Sequence, residues 1–186
     1  GKINYLTQLL SNKQVYVFDQ VSPNPSLEEM QQALTKLSEG NYDLIIAFGG
    51  GSVIDFSKVI RVGLSRTVYS ISEMLELENI EKQDNLMLVA IPTTAGTGSE
   101  VTPFSTIWDK SNKIKLSLQG EGVLPEVAIV DGSQMLSLDY EGTLFPAMDA
   151  ISHALESLWN VNSNEISRSL AYKALDIISE NLMNVL

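Results

Sequence analysis

The chain contains no cysteine. Disulfides and thiolate metal sites are therefore excluded, and any metal must be held by nitrogen and oxygen donors. There is one histidine in 186 residues, too few for a histidine-based metal centre to be completed within this chain. Basic residues are also scarce: 12 Lys and Arg stand against 23 Asp and Glu, a net charge of −11. That balance disfavours nucleic acid as a partner, because a phosphate backbone would be repelled and no basic patch is segregated along the sequence. No apolar run approaches the roughly 20 residues of a membrane span. These absences leave a hydrophobic content of 44%, that of a globular protein with a proper core. The expected surroundings are the cytoplasm, with no membrane and no nucleic acid as partners.

The most informative stretch that is present is Gly49-Gly50-Gly51-Ser52. It follows the apolar run 43–48 and opens an apolar-periodic segment over 52–64. A strand that ends in glycines and turns into a helix presents unobstructed backbone N–H groups at a helix N-terminus. Those first-turn amides lack intrahelical acceptors and the helix dipole favours negative charge there, so the turn suits a phosphate. Glycine also makes good strand-to-helix turns without any ligand, and Ser52 with Asp55 three residues on resembles a capping pair. Both readings stand on these residues alone.

A second loop raises the weight of the phosphate reading. The run 93–100, Thr-Thr-Ala-Gly-Thr-Gly-Ser-Glu, directly follows the apolar run 86–91. Thr93, Thr94 and Thr97 offer hydroxyls to phosphate or ribose. In open α/β sheets, ligands sit outside the carboxyl ends of the strands, so two such loops can share one ligand. Asp19 closes a third candidate strand, 14–18. A carboxylate there can accept hydrogen bonds from an adenosine ribose and repel a 2′-phosphate, favouring NAD over NADP. A solvated strand-end aspartate is the plainer alternative.

The remaining pattern predicts helices over 3–10, 26–38, 52–64 and, briefly, 73–77, and the plainer alternative for the threonine run is a tight turn that caps a short helix at 98–102. It predicts strands over 14–18, 43–48, 86–91 and 127–130, and a hairpin of 104–108 with 113–118. Alternating β and α implies an α/β fold with a mainly parallel sheet and helices on both faces. Strand signals cease after Asp131, and two long helices follow over 140–159 and 164–186. The expected division is thus an α/β domain over 1–133 and the first helices of an all-helical domain over 134–186. On the first of those helices Asp149 and His153 are four apart, so carboxylate and imidazole share a face and can converge on a divalent transition metal, with Glu156 nearby. A lone structural histidine is the alternative.

Taken together, these motifs resemble one family, the iron-activated (group III) alcohol dehydrogenases. The resemblance runs through Phe18-Asp19, Pro23-Asn24-Pro25, the Gly49–Asp55 run with Lys58, the 90–102 run, Leu124-Pro125, 128–131 and the 148–156 run with its Asp-x-x-x-His spacing. It implies a two-domain enzyme that moves hydride between NAD (or NADP) and a small aldehyde or primary alcohol, with catalytic Fe²⁺ or, alternatively, Zn²⁺. By motif, Gly49, Gly50, Gly51 and Ser52 fall at the pyrophosphate, and Asp55 is counted among the cofactor-binding residues of the same run. Thr93, Thr94 and Thr97 line the phosphates and nicotinamide ribose, and Lys115 matches the family's lysine near that ribose. Asp19 matches the position that favours NAD, and Asp149 and His153 match the first two metal ligands. The family's other two ligands are histidines further along its helical domain, and its first strand precedes the part that Gly1 opens. The resemblance therefore implies a fragment with an incomplete metal site, from a protein that is a homodimer or larger homo-oligomer when intact. The runs 22–25, 156–159 and 162–167 look most like phosphonoacetaldehyde reductases. The zinc-dependent glycerol dehydrogenase and dehydroquinate synthase relatives share the fold, and a non-catalytic nucleotide-binding fragment is the alternative outside enzymology.

Overall fold

The structure is a computed structural model that describes residues 2–66, 70–83 and 85–186. Its elements follow the alternation in the sequence. Helix α1 (Lys2–Leu9) and helix α2 (Leu27–Leu37) precede strand β1 (Leu44–Gly49) and helix α3 (Gly51–Arg66). A short helix α4 (Ile71–Leu75) leads to strand β2 (Met87–Pro92), the hairpin β3 (Phe104–Asp109) and β4 (Ile114–Gln119), and the short strand β5 (Val127–Ala128). Two long helices, α5 (Tyr140–Trp159) and α6 (Glu165–Val185), complete the chain. The expected α/β class, with a helical part following a parallel sheet, is what the structure holds.

The sheet has the order β1-β2-β5 with every pairing parallel. In the β1–β2 register Leu44 lies opposite Met87 and Gly49 opposite Pro92. Alternation does the rest: Ala47, Leu88 and Ala90 point to one side, where Ile54 of α3 packs on them with Ile45 alongside. The opposite side carries Ile46, Phe48, Val89 and Ile91, which are only half-buried.

Helix α3 is the centre of the molecule. Ile54, Phe56, Val59, Ile60 and Val62 are buried on several of its faces, as expected of a helix enclosed by neighbours rather than lying on a surface. Around it stand Met30, Ala33, Leu34 and Leu37 of α2, Ile71 and Met74 of α4, and Ile107 and Leu118 of the hairpin. Helix α2 keeps its place through its cap. Ser26 Oγ accepts from Glu29 N–H at 3.1 Å, and Glu29 Oε2 accepts from Ser26 N–H at 2.6 Å. Lys110 from the hairpin tip and Ser22 also reach the Glu29 carboxylate. These hydrogen bonds, that to the Ser26 amide foremost, bring its pKa down from 4.5 to about 2.

Two charged side chains, Lys58 and Arg61, are wholly buried in this core, so their charges need internal partners. Arg61 donates to Leu124 O at 3.0 Å and to Glu126 Oε1 at 3.2 Å, and the other Glu126 oxygen accepts from Leu88 N–H at 2.7 Å. That pair ties α3 to the amino end of β2 and to the segment entering β5.

The structure corrects four expectations. Residues 14–18 form no strand; Val15, Tyr16 and Val17 are exposed, since a strand requires a partner edge and β1 pairs only with β2 among the described residues. Phe18 is anchored instead by stacking on Phe56, ring centroids 5.4 Å apart. The 127–130 strand shrinks to Val127–Ala128, and the short helix of the capping alternative, 98–102, is a single 3₁₀ turn at Ser99–Val101. The short helix expected at 73–77 lies at Ile71–Leu75, where the Ser70 side chain caps it by accepting from Glu73 N–H. Residues 67–69, at the start of the irregular stretch before it, lie outside the described residues.

Candidate active site

The glycine turn and the threonine turn end two neighbouring parallel strands, so both emerge on one edge of the sheet. Thr93 N–H donates to Gly49 O at 3.0 Å, extending the β1–β2 ladder into the turns themselves. Past that point the two loops face each other closely. A β-carbon on Gly50 would fall 3.2 Å from Thr94 Oγ1, and one on Gly51 would fall 3.1 Å from Thr97 Oγ1. At Gly49 an added β-carbon would meet Val53 at 2.6 Å, so the turn into α3 closes only with glycine there. The N–H groups of Gly51 and Ser52, in the first turn of α3, have no intrahelical acceptor. No acidic residue occupies that first turn, whereas α2, α5 and α6 all carry one in theirs. The positive end of the α3 dipole is thus left unneutralised beside two threonine hydroxyls.

Ser52 has a second role. Its Oγ accepts from Asn24 N–H at 3.0 Å, and Asn24, held between Pro23 and Pro25, adopts a left-handed backbone with φ 50°. Asparagine tolerates that region better than most residues. The Pro-Asn-Pro turn is thereby brought to the glycine turn.

Asp55 sits one turn further along α3, and both of its carboxylate oxygens are engaged. Oδ1 accepts from Ser99 Oγ at 2.5 Å and Oδ2 from Thr106 N–H at 3.0 Å. Lys58 Nζ, 3.9 Å from Asp55, donates to Thr102 O, Thr102 Oγ1 and Phe104 O at 2.9, 3.2 and 2.6 Å. Burial brings the Lys58 pKa down to about 8, while the Asp55 and Glu100 carboxylates resist that fall.

Asp19 is exposed on the coil that leads to the Pro-Asn-Pro turn, not at the end of a strand. Lys115 is exposed on β4 directly opposite Trp108, its ammonium 5.9 Å from the centre of that ring. Neither is brought to the two turns by any contact resolved here.

The helical part comes up against the threonine turn at Gly96. Gly96, at the tip of the threonine turn, runs against α5 so closely that a β-carbon on it would lie 2.6 Å from Pro146 Cβ. Pro146 lies inside α5. Asp149 and His153 follow it by three and seven residues, so all three fall on one stripe of the helix. The stripe that touches the threonine turn is therefore the one carrying the two metal-ligand candidates. His153 Nε2 and Asp149 Oδ1 are 3.7 Å apart, with both side chains about half exposed. Donors about 2.1 Å from a cation can be up to about 4.2 Å apart, so this pair can share one. Among the described residues no third Asp, Glu or His joins them.

Sequence reasoning missed the 96–146 contact, the Asn24–Ser52 bond, and the Asp55 and Lys58 ties to Ser99, Thr102, Phe104 and Thr106. The sequence signals only half of the last: Asp55 and Lys58 stand three apart on a largely apolar helix, which marks the pair but not its distant partners.

Comparison with known proteins identifies the family. The family profile described as iron-containing alcohol dehydrogenase matches residues 1–132, and that of the family's C-terminal part matches residues 143–186. Alcohol dehydrogenase 4 of Saccharomyces cerevisiae is 36% identical over 169 residues, covering 91% of this chain and 44% of that protein. A crystal structure of an iron-containing alcohol dehydrogenase from Thermotoga maritima superposes with a TM-score of 0.88 at 34% identity, covering 99% of this chain and 50% of that one. The sulfoacetaldehyde reductase of Bifidobacterium kashiwanohense, solved in complex with NAD⁺, has a TM-score of 0.78 at 30% identity, covering 91% and 46%. The chain spans about half the length of these relatives. It belongs to the iron-containing alcohol dehydrogenase family.

Proposed function

We propose that this chain is the nicotinamide-binding part of an enzyme that interconverts a small aldehyde and a primary alcohol, and that it carries two of the metal ligands. The carrying observation is the convergence of three elements: Gly50 and Gly51 against Thr94 and Thr97, and Gly96 against the Asp149–His153 stripe of α5. In this reading the Gly51 and Ser52 amides at the start of α3 hold the pyrophosphate, and Thr93, Thr94 and Thr97 donate to phosphate and ribose oxygens. Lys115 is assigned to the nicotinamide ribose and Asp19 to the preference for NAD over NADP on family resemblance. NAD is also the cofactor bound in the sulfoacetaldehyde reductase structure.

Asp149 and His153 would hold Fe²⁺ or Zn²⁺ together with donors that the described residues do not supply. When bound, such a cation acts as a Lewis acid toward the substrate oxygen and lowers the pKa of the alcohol. The residues here serve to place the nicotinamide ring against that substrate, which is where most of the protein's contribution to a cofactor reaction lies. With only these two donors together among the described residues, the expectation for this chain by itself is nucleotide binding without turnover. A phosphonate-bearing aldehyde is the finer form of the substrate reading, on the 22–25 and 156–167 runs. The relative that reduces sulfoacetaldehyde takes an aldehyde with a comparable anionic head. Among the described residues no helix is long and apolar enough to cross a membrane.

Titration of the chain with NADH, followed by nicotinamide fluorescence, tests the reading. Binding is expected for the natural sequence and for Asp149→Ala with His153→Ala. It is expected to vanish in Gly51→Val, whose branched side chain would enter the space of Thr97. A folded natural chain that ignores NADH would overturn the assignment.

A further inference from the structure

We infer that Asp55 is a positioning residue: from inside the protein it sets the threonine turn in register with the glycine turn, rather than touching the cofactor itself. This rests on the nucleotide-binding reading above and assigns a task that the glycine motif alone does not.

The two cofactor loops have one mount. The glycine turn is the N-terminus of α3, and Asp55 and Lys58 lie in the next turn of the same helix. Asp55 fixes the near and far ends of the segment that follows the threonine turn, taking Ser99 Oγ on one oxygen and Thr106 N–H on the other. Its backbone carbonyl accepts from Ser105 Oγ at 2.9 Å. Lys58, with no exposed surface, grips the same segment midway through Thr102 and Phe104. Ser99 N–H in turn donates to Thr97 Oγ1 at 3.2 Å, so the chain of bonds runs from Asp55 through Ser99 to the threonine that faces Gly51. Both oxygens of Asp55 are used in this way, and the side chain is only 19% exposed. A buried polar network of this kind rigidifies its loops when every member is satisfied. Holding the loops in the binding geometry before the ligand arrives reduces the ordering cost of binding.

The variants separate positioning from contact because of what asparagine can still do. In Asp55→Asn the amide oxygen accepts from Thr106 N–H, while the amide NH₂ donates to Ser99 Oγ, which can accept as well as donate. The loop stays pinned and the charge is lost. Asp55→Ala loses both bonds. Hydrogen–deuterium exchange on the chain without ligand reads the loop, and NADH fluorescence titration reads binding. For Asp55→Ala we expect exchange over residues 97–106 to quicken and NADH affinity to fall about tenfold, the scale of one or two lost internal hydrogen bonds to a charged group. Asp55→Asn is expected to recover most of both. Ser99→Ala is expected to give a smaller version of the alanine effect, and adding it to Asp55→Ala to weaken binding no further, because the two act through one bond.

Unchanged exchange in Asp55→Ala overturns the inference. So does an affinity lost equally in the asparagine variant while its loop stays protected, since that is the signature of direct contact. Should Asp55→Ala fail to fold, Ser99→Ala decides alone: quickened exchange and weakened binding support positioning, and neither change refutes it. A natural chain that binds no NADH would defeat the nucleotide reading instead, and the exchange arm would still decide whether Asp55 sets the loop.

Discussion

The two parts of this molecule are built on opposite principles. In the α/β part, α3 is enclosed by α2, α4, the sheet and the hairpin, and apolar side chains from all of them meet on it. In the helical part the only buried apolar side chains among the described residues are Ala154 and Ala171, one on each helix. Ile166, Leu170, Tyr172 and Met183 on α6, and Phe145, Met148 and Trp159 on α5, are exposed. An open, largely apolar groove of about 500 Å³ runs between Ile151 and Leu155 on one side and Ile178, Leu182 and Met183 on the other. A helix pair draws most of its stability from packing an apolar face, not from propensity. The α/β part therefore holds itself together, while α5 and α6 depend on each other and on the contact of Pro146 with Gly96.

The sharpest way to break that contrast is a lesion in the α3 core. Leu34 is fully buried among Met30, Ile71 and the residues of α3. Leu34→Ala should cost about 3 kcal/mol by lost transfer energy and the cavity left behind. Urea denaturation followed by circular dichroism measures it. A loss no larger than that of an exposed helix position would mean that the α/β part is not the self-supporting unit.

Next in size is the seam between the parts. Gly96→Val forces a branched side chain into Pro146. The clash should displace α5 from the threonine turn and raise amide exchange in the first two turns of α5 about tenfold, a local opening of about 1.4 kcal/mol. Exchange in α3 should stay as it is. If α3 loosens in step with α5, the two parts fold as one.

The same contrast decides how much was legible in the sequence. Local signals were readable: Gly49–Ser52 marked a strand end and a helix start, Ser26 marked a cap, and 109–112 marked a hairpin turn, which the structure sets one residue later, at 110–113 between β3 and β4. The meeting of the glycine and threonine turns was legible too, because consecutive parallel strands leave their carboxyl-end turns on the same edge. Residues 14–18 misled, since Val15 and Val17 alternate like a strand but strand formation depends on a non-local partner. The clamp of Asp55 and Lys58 on Ser99–Thr106 was hidden for a related reason. It joins residues some 44 to 51 positions apart, a separation no local pattern encodes. The approach of Gly96 to Pro146 spans a similar separation, and nothing in the threonine motif announces it.

A smaller effect sharpens the comparison through pH. The Glu29 carboxylate, held chiefly by the Ser26 amide, has its pKa lowered from 4.5 to about 2 in the folded chain. A depressed folded pKa contributes stability that is fully present above the unfolded value and is lost as pH falls through the folded one. The contribution of the α2 cap should therefore fade between pH 4.5 and about 2. The side chain is 44% exposed, so solvent screening keeps the effect modest. Glu29→Gln should flatten the acid limb of a melting-temperature profile in that window. An acid limb identical in both proteins would place the acid sensitivity elsewhere.

The smallest effect is expected where the helical part is barest. Leu170 lies on α6 with 68% of its surface exposed, so replacing it removes almost no buried area. Leu170→Ser should change the unfolding free energy by no more than about 0.5 kcal/mol, the range of surface substitutions with no special contact. The measurement is the urea midpoint, set beside that of Leu34→Ala in the same buffer. Serine has slightly lower helix propensity than leucine, which sets the sign of the small change. A cost near that of the core variant would mean that Leu170 is covered in solution, and that the exposed face of α6 is occupied by another surface when the protein is free to choose one.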